Sequence, residues 1–354
     1  MLHRFRSILF SFLVLGSVAA IAQDEVISPV DTLPPYIRQL TAFGQRANWS
    51  PDGKKVMFIE KPFGDVMEVD IETGVITHLT RHFFHEGYLR ALYLANGDVL
   101  LSGAREFDAK EPWKSRDSQN AELWVLKRDL SGPPTALGTR CKEGPAASRT
   151  QMRIAWTIGP SIFVGDIEYN EEGKPKLVNA QVAVQSKDLP SPVKGWDLET
   201  QDFRPFAEDE LIFLTHGVYE RYEAEVMSFN LQTKIFVNYS QRVDRYDEPE
   251  GVFPDGQTIL VESNRHRPQY KDMKGFMTLD IYRMPLDGSG EMERLTYFNE
   301  NPEYKASNPV VSPNGKYMAF QFAKTEEAAG IGRGILLFDF EAYEAFRRKQ
   351  AEEK

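Results

Sequence analysis

Three short segments of the chain repeat one another: Asn48-Trp49-Ser50-Pro51-Asp52-Gly53, Gly251-Val252-Phe253-Pro254-Asp255-Gly256 and Val310-Val311-Ser312-Pro313-Asn314-Gly315. Each precedes an alternating run, at 55–59, 258–261 and 317–320. Glycine accepts positive φ and Asp or Asn tolerates it, so Pro followed by Asp/Asn-Gly joins two antiparallel strands in a tight turn. A second element, a polar residue followed by Leu-Thr, recurs at 39–41, 78–80 and 294–296. Before the last two lies a further strand and turn, 67–74 and 280–288. The repeating unit is therefore four antiparallel strands, A to D, with the Pro-Asp-Gly turn between A and B and Leu-Thr ending D.

Weaker copies fill the interval. One begins at Leu92 and ends near Leu126, one occupies 149–185 and one 203–239. Six four-stranded units predict an all-β, six-bladed β-propeller, in which radial closure protects the sheet edges. The last unit has three strands, near 309–312, 317–322 and 334–338, and then turns helical. An orphan strand-D sequence, Ile37-Arg38-Gln39-Leu40-Thr41, precedes the first unit. It is expected to complete the last blade and close the ring. The domain reading is a signal peptide at 1–22, an extension at 23–36, the propeller at 37–340 and a short C-terminal helix at 341–354.

Residues 1–22 carry Arg4 and Arg6, an apolar run from Ile8 to Val18 and Ala20-Ile21-Ala22, the pattern of a cleaved export signal. The run is too short for a bilayer-spanning helix, which needs about 20 residues. No integral membrane segment is expected after cleavage, and the location is expected to be periplasmic or secreted. The formal charge is −10. Loss of residues 1–22, with two arginines and no acid, takes it to −12. An acidic surface argues against nucleic-acid binding, which needs basic patches to displace phosphate counterions. The single cysteine, Cys141, excludes an internal disulfide and a CxxC zinc site.

The Trp-Ser-Pro-Asp-Gly-Lys-Lys-Val-Met-Phe run at 49–58, with Leu-Thr at strand ends, resembles the WD40-like PD40 repeats of TolB-type six-bladed propellers. The resemblance covers most of 37–340. It implies the fold. The α/β domain that precedes the propeller in TolB is not expected here, because only 23–36 lie between the signal and the first strand. Prolyl oligopeptidase-type enzymes also carry propellers, but their Gly-x-Ser-x-Gly elbow is missing from the sequence. Oligogalacturonate lyases are similar in architecture, and that resemblance implies a histidine-rich metal site.

Strand A lines the channel of a propeller. With the A–B turns on one face, the D–A and B–C loops share the other, the top face. The fifth blade is richest there, with Glu248 and Glu250 before strand B and Glu262, Arg265 and His266 after it. Carboxylates beside Arg and His suit a polar ligand, a cation or acid–base chemistry, or else a salt-bridge clamp between two loops. The fourth blade adds His216 and Arg221. Turn alignment sets Arg46, Pro249 and Asn308 at one level of the channel, with Gln45, Glu248 and Ser307 one residue earlier. The candidate ligand-binding residues are thus Arg46, Glu248, Glu250, Glu262, Arg265, His266, His216 and Arg221. No cofactor and no metal are expected, the alternative metal set being His82, His85, His216 and His266. The expected function is an exported module that binds a protein partner or a small polar ligand at its top face. The alternative is a lyase- or hydrolase-like propeller enzyme acting on a carbohydrate or other polar substrate.

Overall fold

The computed structural model describes residues 28–117, 120–217, 223–242, 244–267 and 277–353. The expected signal peptide and Arg221 lie outside these. The described residues form six four-stranded antiparallel sheets. The innermost strands are Gln45–Trp49, Arg90–Tyr93, Lys142–Ala147, Asp197–Phe203, Asp247–Val252 and Tyr304–Val311, one for each of blades 1 to 6. Each packs beside the next and the last returns to the first, which makes the ring a six-bladed propeller.

Closure follows the sequence expectation. Ile37–Gln39 pairs antiparallel with Ile335–Asp339, with Ile37 opposite Phe338, and becomes the outer strand of blade 6. Leu40 and Thr41 continue the contact, their amides donating to the Ile335 carbonyl at 2.8 and 3.2 Å. The C-terminal helix, Phe340–Glu352, follows at once, its N-terminus capped by the Asp339 carboxylate accepting from the Ala342 amide. It turns Phe340 and Tyr343 onto Phe338, and Tyr343 and Phe346 onto Tyr36.

The apolar core is divided among the blade interfaces. Met57 and Ile59 of blade 1 meet Ala91 and Leu101 of blade 2. Ile154 and Trp156 of blade 3 meet Leu100 and Leu123 of blade 2. Ile259 and Val261 of blade 5 meet Ile212 and Val226 of blade 4. Alternation buries both faces of each middle strand, so every sheet is held by its neighbours more than by itself.

The boundaries of three blades differ from the sequence expectation. Blade 2 starts at Arg90 and ends with Thr135–Arg140, blade 3 starts at Lys142 and blade 4 at Asp197. The reason is chemical: strand A of blades 3 and 4 reads Lys-Glu-Gly-Pro-Ala-Ala and Asp-Leu-Glu-Thr-Gln-Asp-Phe. It faces a polar channel, lacks the Pro-Asp-Gly turn and so carries no apolar alternation. Cys141 is fully buried at the entrance to blade 3, and burial pushes its pKa up.

Candidate functional site

The channel is split into two cavities by a layer of charge. The lower one, about 310 Å³, is framed by the A–B turn prolines Pro51, Pro254 and Pro313 with Trp49 and Tyr93. The upper one, about 350 Å³, is lined by charged residues of all six blades and opens toward the B–C loops. Arg90 lines both and forms the waist.

Local backbone geometry aims the charges inward. Arg46, Glu143 and Asn308 sit at positive φ of 56°, 59° and 49°, a left-handed region uncommon for residues other than glycine. Each lies where strand A slips register against strand B. A bulge of this kind re-aims a side chain at the cost of local strain, and such strain clusters at functional sites. Two glycines make the room. A Cβ on Gly144 would stand 2.3 Å from Arg90 Cγ, and one on Gly330 would stand 2.0 Å from an Arg46 guanidinium nitrogen.

Blades 1 to 3 supply a basic wall. Arg46 is 5% exposed, and its guanidinium meets Glu143 only at 3.9 Å. Burial, then Arg90 and Arg116, lower its pKa to about 9. Among the described residues, neither the Arg46 nor the Arg90 guanidinium donates a hydrogen bond. Arg116 arrives on the long B–C insert of blade 2. Its Nε donates to Glu143 at 2.6 Å and its Nη1 to the Ala329 carbonyl at 2.8 Å. Lys142 stands 3.9 Å from Asp197. Burial works against the Glu143 carboxylate, but Arg116 and Arg46 outweigh it and hold its pKa below the ordinary range. Glu199 is pushed up to about 7 by burial and then by Glu143.

Blade 5 supplies the facing acidic wall. Glu248 accepts from the Tyr246 hydroxyl and, at 3.2 Å, from Gln201. Glu250 accepts from Asn308 Nδ2 at 2.8 Å, and Glu262 from the Asn308 amide. Burial, then Glu250 and Glu199, raise Glu248 to about 8. Burial, then Glu250 and Glu248, raise Glu262 well above its usual value. Lys305, 1% exposed, is lowered to about 8 by burial.

Of the residues expected at this site, Arg46, Glu248, Glu262 and His216 line the upper cavity. Glu250 lines the lower one, with a carboxylate oxygen close to those of Glu248 and Glu262. Arg265 and His266 line neither. Arg265 binds Asp247 through Nε and Nη2 at 2.8–3.1 Å and donates to the Gly290 and Ser240 carbonyls, a clamp between loops. His266 lies between the Tyr282 hydroxyl and Asn299 Oδ1, and burial lowers its pKa to about 4. The four histidines of the alternative metal set do not share a cluster. His85 is held by Asp65 and the Gly87 amide, and His82 packs on Phe83. Arg90, Arg116, Glu143, Glu199 and Lys305 were not foreseen. Correct strand-A alignment of blades 2 to 4 was the signal that would have found Arg90, Glu143 and Glu199.

No protein-family model matches the chain, and no curated protein matches it. Solved structures do. The chain is similar to a gluconolactonase from Xanthomonas campestris (12% identity, 86% of this chain and 88% of that one, TM-score 0.52). It is similar to an oligogalacturonate lyase in complex with manganese (12%, 84% and 77%, 0.50). It is also similar to TolB from Acinetobacter baumannii (12%, 83% and 63%, 0.48), so it spans under two thirds of that protein. At such identities the likeness is one of fold, and the shared architecture is the six-bladed propeller.

Proposed function

We propose that the chain is an exported binding propeller whose channel mouth takes up a small polar molecule bearing an anionic group. On this reading residues 1–22 direct export to the periplasm or beyond, and the top face also presents the bound molecule to a protein partner. No helix among the described residues is long and apolar enough to cross a membrane. The observation that carries the reading is the pair of guanidinium groups, Arg46 and Arg90, aimed into one cavity without a hydrogen-bond acceptor among the described residues. Two cations crowded into one cavity without hydrogen bonds repel each other, and an anion arriving between them relieves that cost. Carboxylates of blade 5 face it and accept from hydroxyl or ammonium groups of the same ligand. The upper cavity's volume is in the range of small-molecule sites.

Calorimetric titration with sugar acids, dicarboxylates and phosphorylated sugars, each beside its neutral counterpart, tests this. An acid is expected to bind and its neutral analogue to bind far more weakly. Arg90→Gln should cost about 1.5–3 kcal/mol, the worth of hydrogen bonds to a charged group. Equal binding of acid and neutral analogue, or an Arg90→Gln variant of unchanged affinity, would sink the reading.

A second reading, a propeller enzyme acting on a polar substrate, is favoured by one observation. Glu248 and Lys305 line the same cavity with pKa values moved toward about 8 from opposite sides. Groups poised near neutrality suit general acid–base work. If turnover of any bound acid is found, Glu248→Gln should lower kcat by about 10²- to 10⁴-fold. Undiminished turnover in that variant removes Glu248 from the chemistry.

A further inference from the structure

Oxygen atoms of Glu248, Glu250 and Glu262 lie within 4.8 Å of one another, the only such group of three or more potential donor residues among the described residues. Glu250 and Glu262 are 7% and 3% exposed. Three carboxylates this close need compensating positive charge, and no cation among the described residues forms an ion pair with any of them. Lys305 donates to the Glu327 carbonyl at 2.7 Å and lies against Met277. Arg90 stands at the waist and makes no ion pair among the described residues.

A second observation is independent of the acids. Asn308, 7% exposed, gives its Nδ2 to Glu250 and leaves Oδ1 buried with no partner. Ser307 Oγ beside it is likewise buried and unpartnered. Both residues line the upper cavity with Glu248 and Glu262. An orphaned carbonyl oxygen next to three carboxylates has no use for a further acceptor. A hydrogen-bond donor or a cation completes it.

We infer that Glu248, Glu250 and Glu262 of blade 5, with Asn308 and Ser307 of blade 6, form a binding site for one hard divalent cation of the calcium class. Calcium holds oxygen ligands at about 2.3–2.6 Å, so two ligands on opposite sides of one ion stand about 5 Å apart. The carboxylate spacing falls within that span. The donors are all oxygen, which selects calcium, magnesium or manganese over thiophilic or imidazole-seeking metals. The site draws on two adjacent blades and borders the same cavity as the anion reading, but it does not depend on Arg46 or Arg90, which carry that reading.

The test uses protein stripped with chelator and returned to about 1 mM calcium, magnesium or manganese at about pH 7.5, in the range where extracellular calcium modules load. Calorimetry should show one equivalent bound, with the melting temperature rising by several degrees. Terbium, a calcium mimic, should give tyrosine-sensitised emission, since the Tyr246 hydroxyl bonds to Glu248. Glu262→Gln and Glu250→Gln should each weaken binding at least tenfold, while the ion-free variants stay folded because glutamine keeps the side chain's size and hydrogen-bonding carbonyl. His82→Asn, at an exposed side chain, should bind as the unaltered protein does. No binding by folded protein to any of the three ions overturns the proposal and leaves protons as the compensating charge. So does stoichiometric binding that survives both glutamine variants.

Discussion

Phe338→Ala is expected to destabilise the fold by about 3–5 kcal/mol, the range for emptying a buried aromatic site. Phe338 is fully buried on the strand that carries the closing pair, opposite Ile37. Its ring stands 5.1 Å from those of Tyr36, Phe340 and Tyr343. These neighbours come from the closing segment and the C-terminal helix, so one truncation loosens both against the last strand. Urea denaturation measures the loss. Phe206→Ala is the companion, because Phe206 is 89% exposed and its removal should stay within about 0.5 kcal/mol. A cost below about 1 kcal/mol at Phe338 would mean that the aromatic cluster does not hold the ring shut.

The second large effect is a loss of stability with rising pH in protein freed of divalent cations. Glu248 and Glu199 have folded pKa values near 8 and 7, and Glu262 is well above its usual value, burial being the first cause in each case. An unfolded chain releases these protons near pH 4.5. Below that, both states hold the proton and the groups cost nothing. As pH rises, the unfolded chain ionises while the folded one retains its protons, and stability falls until the folded groups ionise as well. His266 acts in the opposite sense. Its pKa is lowered to about 4, so it adds stability as pH climbs to about 6.5 and nothing beyond. The window from about pH 6.5 to 8 therefore isolates the glutamates. Each proton at stake contributes a slope of up to about 1.4 kcal/mol per pH unit. Denaturation midpoints across that window should fall, and Glu248→Gln should remove about one proton's share of the slope. An unchanged slope in the variant would show that Glu248 ionises as an ordinary carboxylate.

The fold was legible where turns repeat. Three Pro-Asp/Asn-Gly turns and the stray Leu-Thr strand gave blades 1, 5 and 6 and the closure. The same alignment put Arg46 and Glu248 on the channel. Blades 2 to 4 were displaced by a few residues because their inner strands are polar and their turns unmarked. Half of the charged ring, Arg90, Glu143 and Glu199, was hidden by that displacement. Arg116 was hidden for another reason: it sits in a long charged insert, where nothing local distinguishes a residue that reaches the channel from one that faces water. Arg265 and His266 carry the composition of a site but spend their hydrogen bonds on Asp247, Ser240, Gly290, Tyr282 and Asn299, in and beside blade 5. Composition does not separate a clamp from a pocket, and only the partners do. The Glu248, Glu250 and Glu262 cluster needed strand register as well, since the Glu248↔Glu262 pairing brings a residue of strand A against one of strand B.

The pairing of Ile37 with Phe338 spans about 300 residues of chain, and it completes a sheet whose other strands are all made last. Local hairpins can form as each blade is synthesised, but the seam waits for the final strand. A contact of that separation must overcome its loop-closure entropy before it is rewarded, which makes the last step of folding slow. The same separation works in reverse. Once sealed, no blade can peel away from a free edge, so the ring should open rarely and persist longer than its equilibrium stability alone would suggest.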